Sequence, residues 1–404
     1  MNQPAPLHPQ LDRIRGRSLA IGLIALALCI GGAFFNRAQF FRSYLLAYLF
    51  WMGLTLGCLA ILMLHHLVGG AWGAVIRRPL EAGTRLFPLM ALLFVPLLLG
   101  LPDLYLWARP EEVARDEILQ HKSPYLNIPF FAVRSLVYFA LWMGIAYFLN
   151  RWSREQDEMA TPSLIRRFQL ISGFGLVLYG GTVTFASIDW VMSLDPHWYS
   201  TIYGVLFIIG QVLTAFAFAI VVLKRLASHK PLSEVVSPNH FHDLGNLLLA
   251  FVMLWAYVAF SQYLIIWSGN LPEEIPWYLH RMKGGWEWMS LGLLVFHFAV
   301  PFLLLLSRRT KRRAEMISIV AAGMLLMRWV DLYWLVAPAF YRTGLRIHWM
   351  DVSAPVGIGG IWMAAFVWQL KRAPLLPLHG LHWASVHEGH GEMPSNEVGG
   401  IDHE

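Results

Sequence analysis

Long apolar runs recur along this chain, separated by shorter segments that carry charge, proline and glycine. Ten can be read, at residues 18–35, 44–68, 86–107, 130–149, 168–192, 200–223, 244–268, 286–306, 314–337 and 352–370. Each is near the ~20 residues that cross hydrocarbon as a helix. None alternates apolar and polar positions as a barrel strand does. Inside a bilayer every backbone polar group must be satisfied within its own segment. The pattern therefore predicts an all-α integral membrane protein with about ten transmembrane helices. The chain is 57% hydrophobic and 14% charged, too little polar surface for a soluble fold of 404 residues.

Basic residues set the predicted orientation. Twenty Lys and Arg fall in the termini and in alternate loops: Arg13, Arg15, Arg17, Arg77, Arg78, Arg85, Arg151, Arg154, Arg166, Arg167, Lys224, Arg225, Lys230, Arg308, Arg309, Lys311, Arg312, Arg313, Lys371 and Arg372. Nine fall in the others: Arg37, Arg42, Arg109, Arg115, Lys122, Arg281, Lys283, Arg342 and Arg346. This bias predicts both termini on the cytoplasmic side. It also accounts for the net charge of +6 without a nucleic-acid partner. The expected organisation is a cytoplasmic segment 1–17, a membrane domain 18–371 and a disordered tail 372–404. The tail carries His379, His382, His387, His390 and His403 with no spacing that fixes metal geometry. The first run is long for a signal peptide and no A-x-A site follows it, so it is read as a retained span.

Several chemistries find no motif. Cys29 and Cys58 both sit in apolar runs and make neither a disulfide framework nor a zinc site. There is no haem-attachment motif, no four-cysteine cluster motif and no glycine-rich phosphate loop. Of the histidines only His297 lies at mid-depth, whereas a bis-histidine haem needs two. No metal ligands and no catalytic residues are assigned.

Charge inside the spans is the informative signal, because an intramembrane ionisable group is costly unless paired or wetted. Asp103 follows Pro102 at the outer end of span three, which also carries Pro88 and Pro96. Arg134 begins span four, with Tyr138 one turn along on the same face. Asp189 ends span five, near Thr182, Thr184 and Ser187. Glu287 opens span eight, with Ser290 and His297 on the same side of the wheel. Arg328 and Asp331 stand at i and i+3 in span nine, close enough to pair. All but His297 belong to the predicted outer half, and His297 is positioned to extend the set inward. Two readings stay open: internal ion pairs that fix helix packing, or groups that exchange protons. Outer loops 108–129 and 269–285 are rich in charge, Pro, Trp and Tyr. They suit either a protein-docking surface or an aromatic belt at the headgroups.

The stretch SGFGLVLYGGTVTFASIDWVMSLDPHWYSTIYG (172–204) resembles the membrane subunit ActF of alternative complex III. HHLVGGAWG (65–73), SPYLNIPFFAVRSLVYFALW (123–142), LWAYVAFSQYLIIWSGNLPEEIPWY (254–278) and MRWVDLYWLVAP (327–338) fit the same subunit, so the resemblance covers most of 45–370. It places the chain among relatives of the NrfD and polysulfide-reductase membrane subunits. It implies two four-helix bundles with two flanking helices, in a bacterial cytoplasmic membrane. It implies a role in a quinol:electron-acceptor oxidoreductase of a respiratory or photosynthetic chain. Haem and iron–sulfur clusters would be carried by partners: an iron–sulfur subunit, multihaem and monohaem cytochromes c, a second NrfD-like subunit of ActC type and a haem–copper oxidase as acceptor. The quinol or menaquinol site is expected in the ActC-type subunit, so quinone-binding residues here stay unassigned. Together with the polar clustering, the resemblance makes Asp103, Asp189, Glu287, His297, Arg328 and Asp331 the proton-path candidates. A proton-coupled secondary transporter and the membrane anchor of an NrfD-type molybdoenzyme remain as alternatives.

Overall fold

A computed structural model describes residues 7–159 and 161–376. The histidine-rich tail beyond 376 and the first six residues lie outside the described residues. Among the described residues all regular structure is helical. Nine helices are long and apolar enough to cross a membrane, or ten when one bent pair is taken as a single span.

The passes are α1 (Leu7–Ala33), α2 (Arg37–Val68), the bent pair α3 (Ala71–Thr84) and α4 (Phe87–Leu99), α5 (Ile128–Glu158), α6 (Pro162–Trp190), α7 (Tyr203–Leu226) and α8 (Pro238–Gly269). A short helix, α9 (Pro276–Arg281), leads into a composite pass of α10 (Trp286–Gly292), a π-helical segment Leu293–Ala299 and α11 (Val300–Leu306). α12 (Ala314–Val336) and α13 (Trp349–Leu370) complete the chain. Both ends of the described chain meet at one end of the molecule, where Lys371 donates to Asp12 across 2.5 Å. That end also collects most of the arginines, and we call it the arginine-rich end.

α2 and α7 form the centre and are buried along nearly their whole length. α1 packs lengthwise on α13 and turns Ile21, Ile24 and Leu28 outward. α5, α6 and α8 likewise expose Val133, Leu136, Phe174, Val177, Phe260 and Ile265. Such apolar side chains face lipid. Lipid is as apolar as they are, so packing and polar contacts, rather than water exclusion, hold the helices together. The α1–α13 seam shows this: a Cβ on Gly22 would stand 2.8 Å from the Cα of Gly360, so only glycine lets these backbones come so close. Helix starts are capped locally. Asn36 accepts from the Gln39 N–H at 3.1 Å, and Asn127 accepts from the Phe130 N–H at 2.9 Å.

One stretch differs from its sequence reading. Residues 69–85, expected as a loop because of Arg77, Arg78 and Arg85, instead build α3. That helix is bent by 41° from α4 at Arg85–Leu86, just ahead of Pro88. Arg77 and Arg78 are buried, not solvated. α1 begins at Leu7, so residues 7–17 are helical.

Candidate functional site

The six candidate residues do not form one cluster. Asp103 and Glu287 are accessible, Asp189 is enclosed, and His297, Arg328 and Asp331 form a group beside two cavities, the larger of which Glu287 also lines.

Asp103 is peripheral. It accepts from Arg37 Nε at 2.9 Å, and that arginine is mostly exposed. Glu287 is exposed as well, and its carboxylate accepts from the Gly285 N–H at 2.9 Å.

Asp189 is fully buried. Arg134, from α5, grips it with two bonds: Nε to Oδ2 at 2.9 Å and Nη2 to Oδ1 at 3.0 Å. Tyr138, one turn on, donates to the same Oδ2 at 2.8 Å. The third arm of the guanidinium donates to the Tyr125 carbonyl at 2.8 Å, and the Tyr125 ring lies 3.8 Å from the guanidinium carbon. A bidentate guanidinium with a phenol leaves the carboxylate oxygens well occupied. The next residue, Trp190, donates to Ser135 at 3.2 Å, and its ring packs on Phe94 and Phe139. α5 and α6 are thus joined by a buried, charge-assisted clasp.

Arg328 and Asp331 on α12 pair through Arg328 Nη1 and Asp331 Oδ2. The guanidinium fits because residue 210 is glycine; a Cβ there would overlap it. His297 is fully buried in the π-helical segment, and neither of its ring nitrogens has a hydrogen-bond partner among the described residues. Its ring stands edge-on to Trp255, with centroids 4.2 Å apart. π-helical turns are rare and are frequently found at functional sites. An imidazole always keeps at least one N–H donor or acceptor to satisfy, and leaving both buried costs free energy.

The two members of the ion pair line different cavities. Arg328 lines a small space of about 30 Å³ with Ser187, Gln211, Thr214 and the rim of Trp190, large enough for a water molecule and rich enough in polar partners to hold one. Asp331 lines an open cavity of about 790 Å³ between α8, α9, α10 and α12, together with Gln262, Ser290, Glu287 and a wall of aromatic rings. Arg281 closes that cavity outside the spans. It is buried, donates to the carbonyls of Trp277, Trp334 and Leu335 at 2.8–3.2 Å, and lies 3.3 Å from the Trp277 ring centroid. Burial pushes its guanidinium down to about 9, partly offset by Tyr203, Tyr278 and Asp195, so it remains a cation at neutral pH.

Two polar networks were not found in the sequence. Glu81, almost fully buried, accepts from Arg77 Nε and Arg78 Nη1 at 2.8 Å each and from Ser153 at 2.6 Å, and Arg78 also pairs with Asp157. Its i−4 and i−3 spacing to the two arginines is a local signal, hidden because all three were expected in a loop. Asp351 accepts from Ser43 at 2.5 Å, Gln39 at 3.2 Å and Tyr333 at 3.2 Å. Its partners lie far away in sequence, and only its place at the start of α13 carries a local hint.

Among the described residues no group of three or more His, Cys, Asp or Glu is arranged to hold a metal ion. Comparison with protein-family models and with curated protein sequences gave no match.

Proposed function

We propose that this chain is a membrane subunit of a quinol-oxidising electron-transfer complex, of the type that its resemblance to the alternative complex III subunit ActF suggests. Its contribution is a scaffold and part of a proton path, within two four-helix bundles and two flanking helices. Electrons run through haem and iron–sulfur partners rather than through this chain. The observation that carries the proton role is the His297–Arg328–Asp331 group. It holds a buried imidazole with no hydrogen-bond partner among the described residues, in a π-helical segment beside an ion pair that touches two cavities. Imidazole exchanges protons near neutral pH, and a carboxylate open to a cavity can be reached by water. Asp189 belongs to the scaffold side of the proposal, since Arg134 and Tyr138 occupy its carboxylate.

One observation favours a second reading. If ten spans are divided five and five, the bent third pass and the π-helical eighth pass hold matching positions. Irregular helices in corresponding halves are a mark of secondary transporters. Purification of the native protein separates the readings. The proposed function expects stable association with c-type cytochromes and an iron–sulfur subunit, and proton release on quinol oxidation that falls when Asp331 is replaced by Asn. A chain that purifies alone and carries a solute gradient in liposomes overturns it in favour of the transporter.

A further inference from the structure

A cavity of about 330 Å³ opens at the arginine-rich end, where the α3–α4 bend, α5 and the end of α13 meet. Arg85, Arg154 and Arg372 all line it, with Asn150, Phe87 and Met143. Among the described residues no acidic side chain lines it. The acids nearby are engaged elsewhere: Glu81 by Arg77, Arg78 and Ser153, Asp157 by Arg78, Glu155 by Arg151, and Asp12 by Lys371. Glu81 reaches Arg85 only at 3.9 Å, beyond hydrogen-bond distance. Arg85 is pinned by Asn150, which accepts from its Nε at 2.7 Å, and its buried Nη2 has no hydrogen-bond partner among the described residues. Arg372 rests on the Trp368 ring, 3.5 Å from the centroid, which holds its charge at the cavity mouth.

Three cations around one cavity repel each other unless an anion joins them. Guanidinium forks match the oxygens of a phosphate, and a basic pocket between membrane helices is a recognised form of lipid-headgroup site. Beside Thr84, Tyr147 and Gln369, the wall holds an apolar stretch of Phe87, Pro88, Met143 and Ala146, a lining that a free inorganic anion has no use for. We propose that this cavity binds an anionic glycerophospholipid, its phosphate held by Arg85, Arg154 and Arg372 and its acyl chain lying along Pro88 and Met143. The site is independent of the proposed electron-transfer role.

The test titrates the purified full chain, in neutral detergent, with phosphatidylglycerol, phosphatidylcholine or inorganic phosphate, and reads bound lipid by native mass spectrometry and phosphate by competition. Phosphatidylglycerol is expected to bind about tenfold more tightly than phosphatidylcholine, and about tenfold more weakly to the double variant Arg154→Gln/Arg372→Gln. Both arginines are exposed, so the variant is expected to fold. A control, Arg166→Gln/Arg167→Gln, removes the same charge from the exposed start of α6 and is expected to leave binding unchanged. Equal binding of the two lipids, or equal loss in the control, overturns the site. Inorganic phosphate that binds as tightly as phosphatidylglycerol overturns the lipid assignment.

Discussion

The Arg134–Asp189 pair and the Arg328–Asp331 pair have the same chemistry and nearly the same burial, yet different surroundings. The first is closed. Two arms of Arg134 meet both carboxylate oxygens, Tyr138 adds a third bond, and aromatic rings seal the site. The second is open. Each partner borders its own cavity, and a histidine without hydrogen bonds stands alongside. Burial alone therefore does not mark an intramembrane charge as functional. What separates the pairs is whether every donor and acceptor is already satisfied. On the proposed function, the saturated pair is a clasp between helices, and the pair that reaches cavities is the one that changes its protonation.

The largest effect expected from this contrast is on stability. Arg134→Met leaves Asp189 buried without its cation and should cost about 3–5 kcal/mol, read as a fall in the thermal midpoint in detergent. Arg134→Met combined with Asp189→Leu should recover much of that loss, because no charge is then left unpaired. Arg328→Met should cost less, since Asp331 can take a proton from its cavity. Equal costs for the two single variants would break the comparison.

The next effect is on turnover. In the proposed complex, Asp331→Asn should slow quinol oxidation by on the order of 10²-fold per folded complex, the scale of losing an acid–base group. Asp189→Asn should leave the turnover of whatever complex folds unchanged. A third variant sharpens the contrast through packing. Gly210→Ala pushes a methyl group into the Arg328 guanidinium and should cost about 1–3 kcal/mol. Gly181→Ala, in the same helix as Asp189 but with open space at its Cβ, should be neutral. The smallest effect belongs to the exposed Arg37–Asp103 pair, where Arg37→Gln should change stability by less than about 1 kcal/mol.

What the sequence revealed followed from locality. Apolar runs of bilayer length announced the spans, and the i, i+3 spacing of Arg328 and Asp331 announced their pairing. Tyr138, one turn from Arg134, was legible as sharing its face, but their common partner Asp189 was not, because 55 residues separate Arg134 from it. α3 was misread for a physical reason. Its two buried arginines share Glu81 and reach neutrality only with Asp157 of α5, while Ser153 of α5 adds a further bond, so their cost is met by tertiary partners that hydropathy does not register. The π-helical segment was invisible for a different reason: a short widening of the helix leaves hydropathy unchanged. The separation of the six candidate residues into distinct environments likewise depends on helix packing, which span counting does not supply.

The central claim is that the open pair, and not the closed one, changes protonation. Infrared difference spectra of the intact complex, recorded between oxidised and quinol-reduced states, test it most directly. A carboxyl C=O band is expected that disappears in Asp331→Asn and persists in Asp189→Asn. A band that survives Asp331→Asn and is lost in Asp189→Asn would contradict the account.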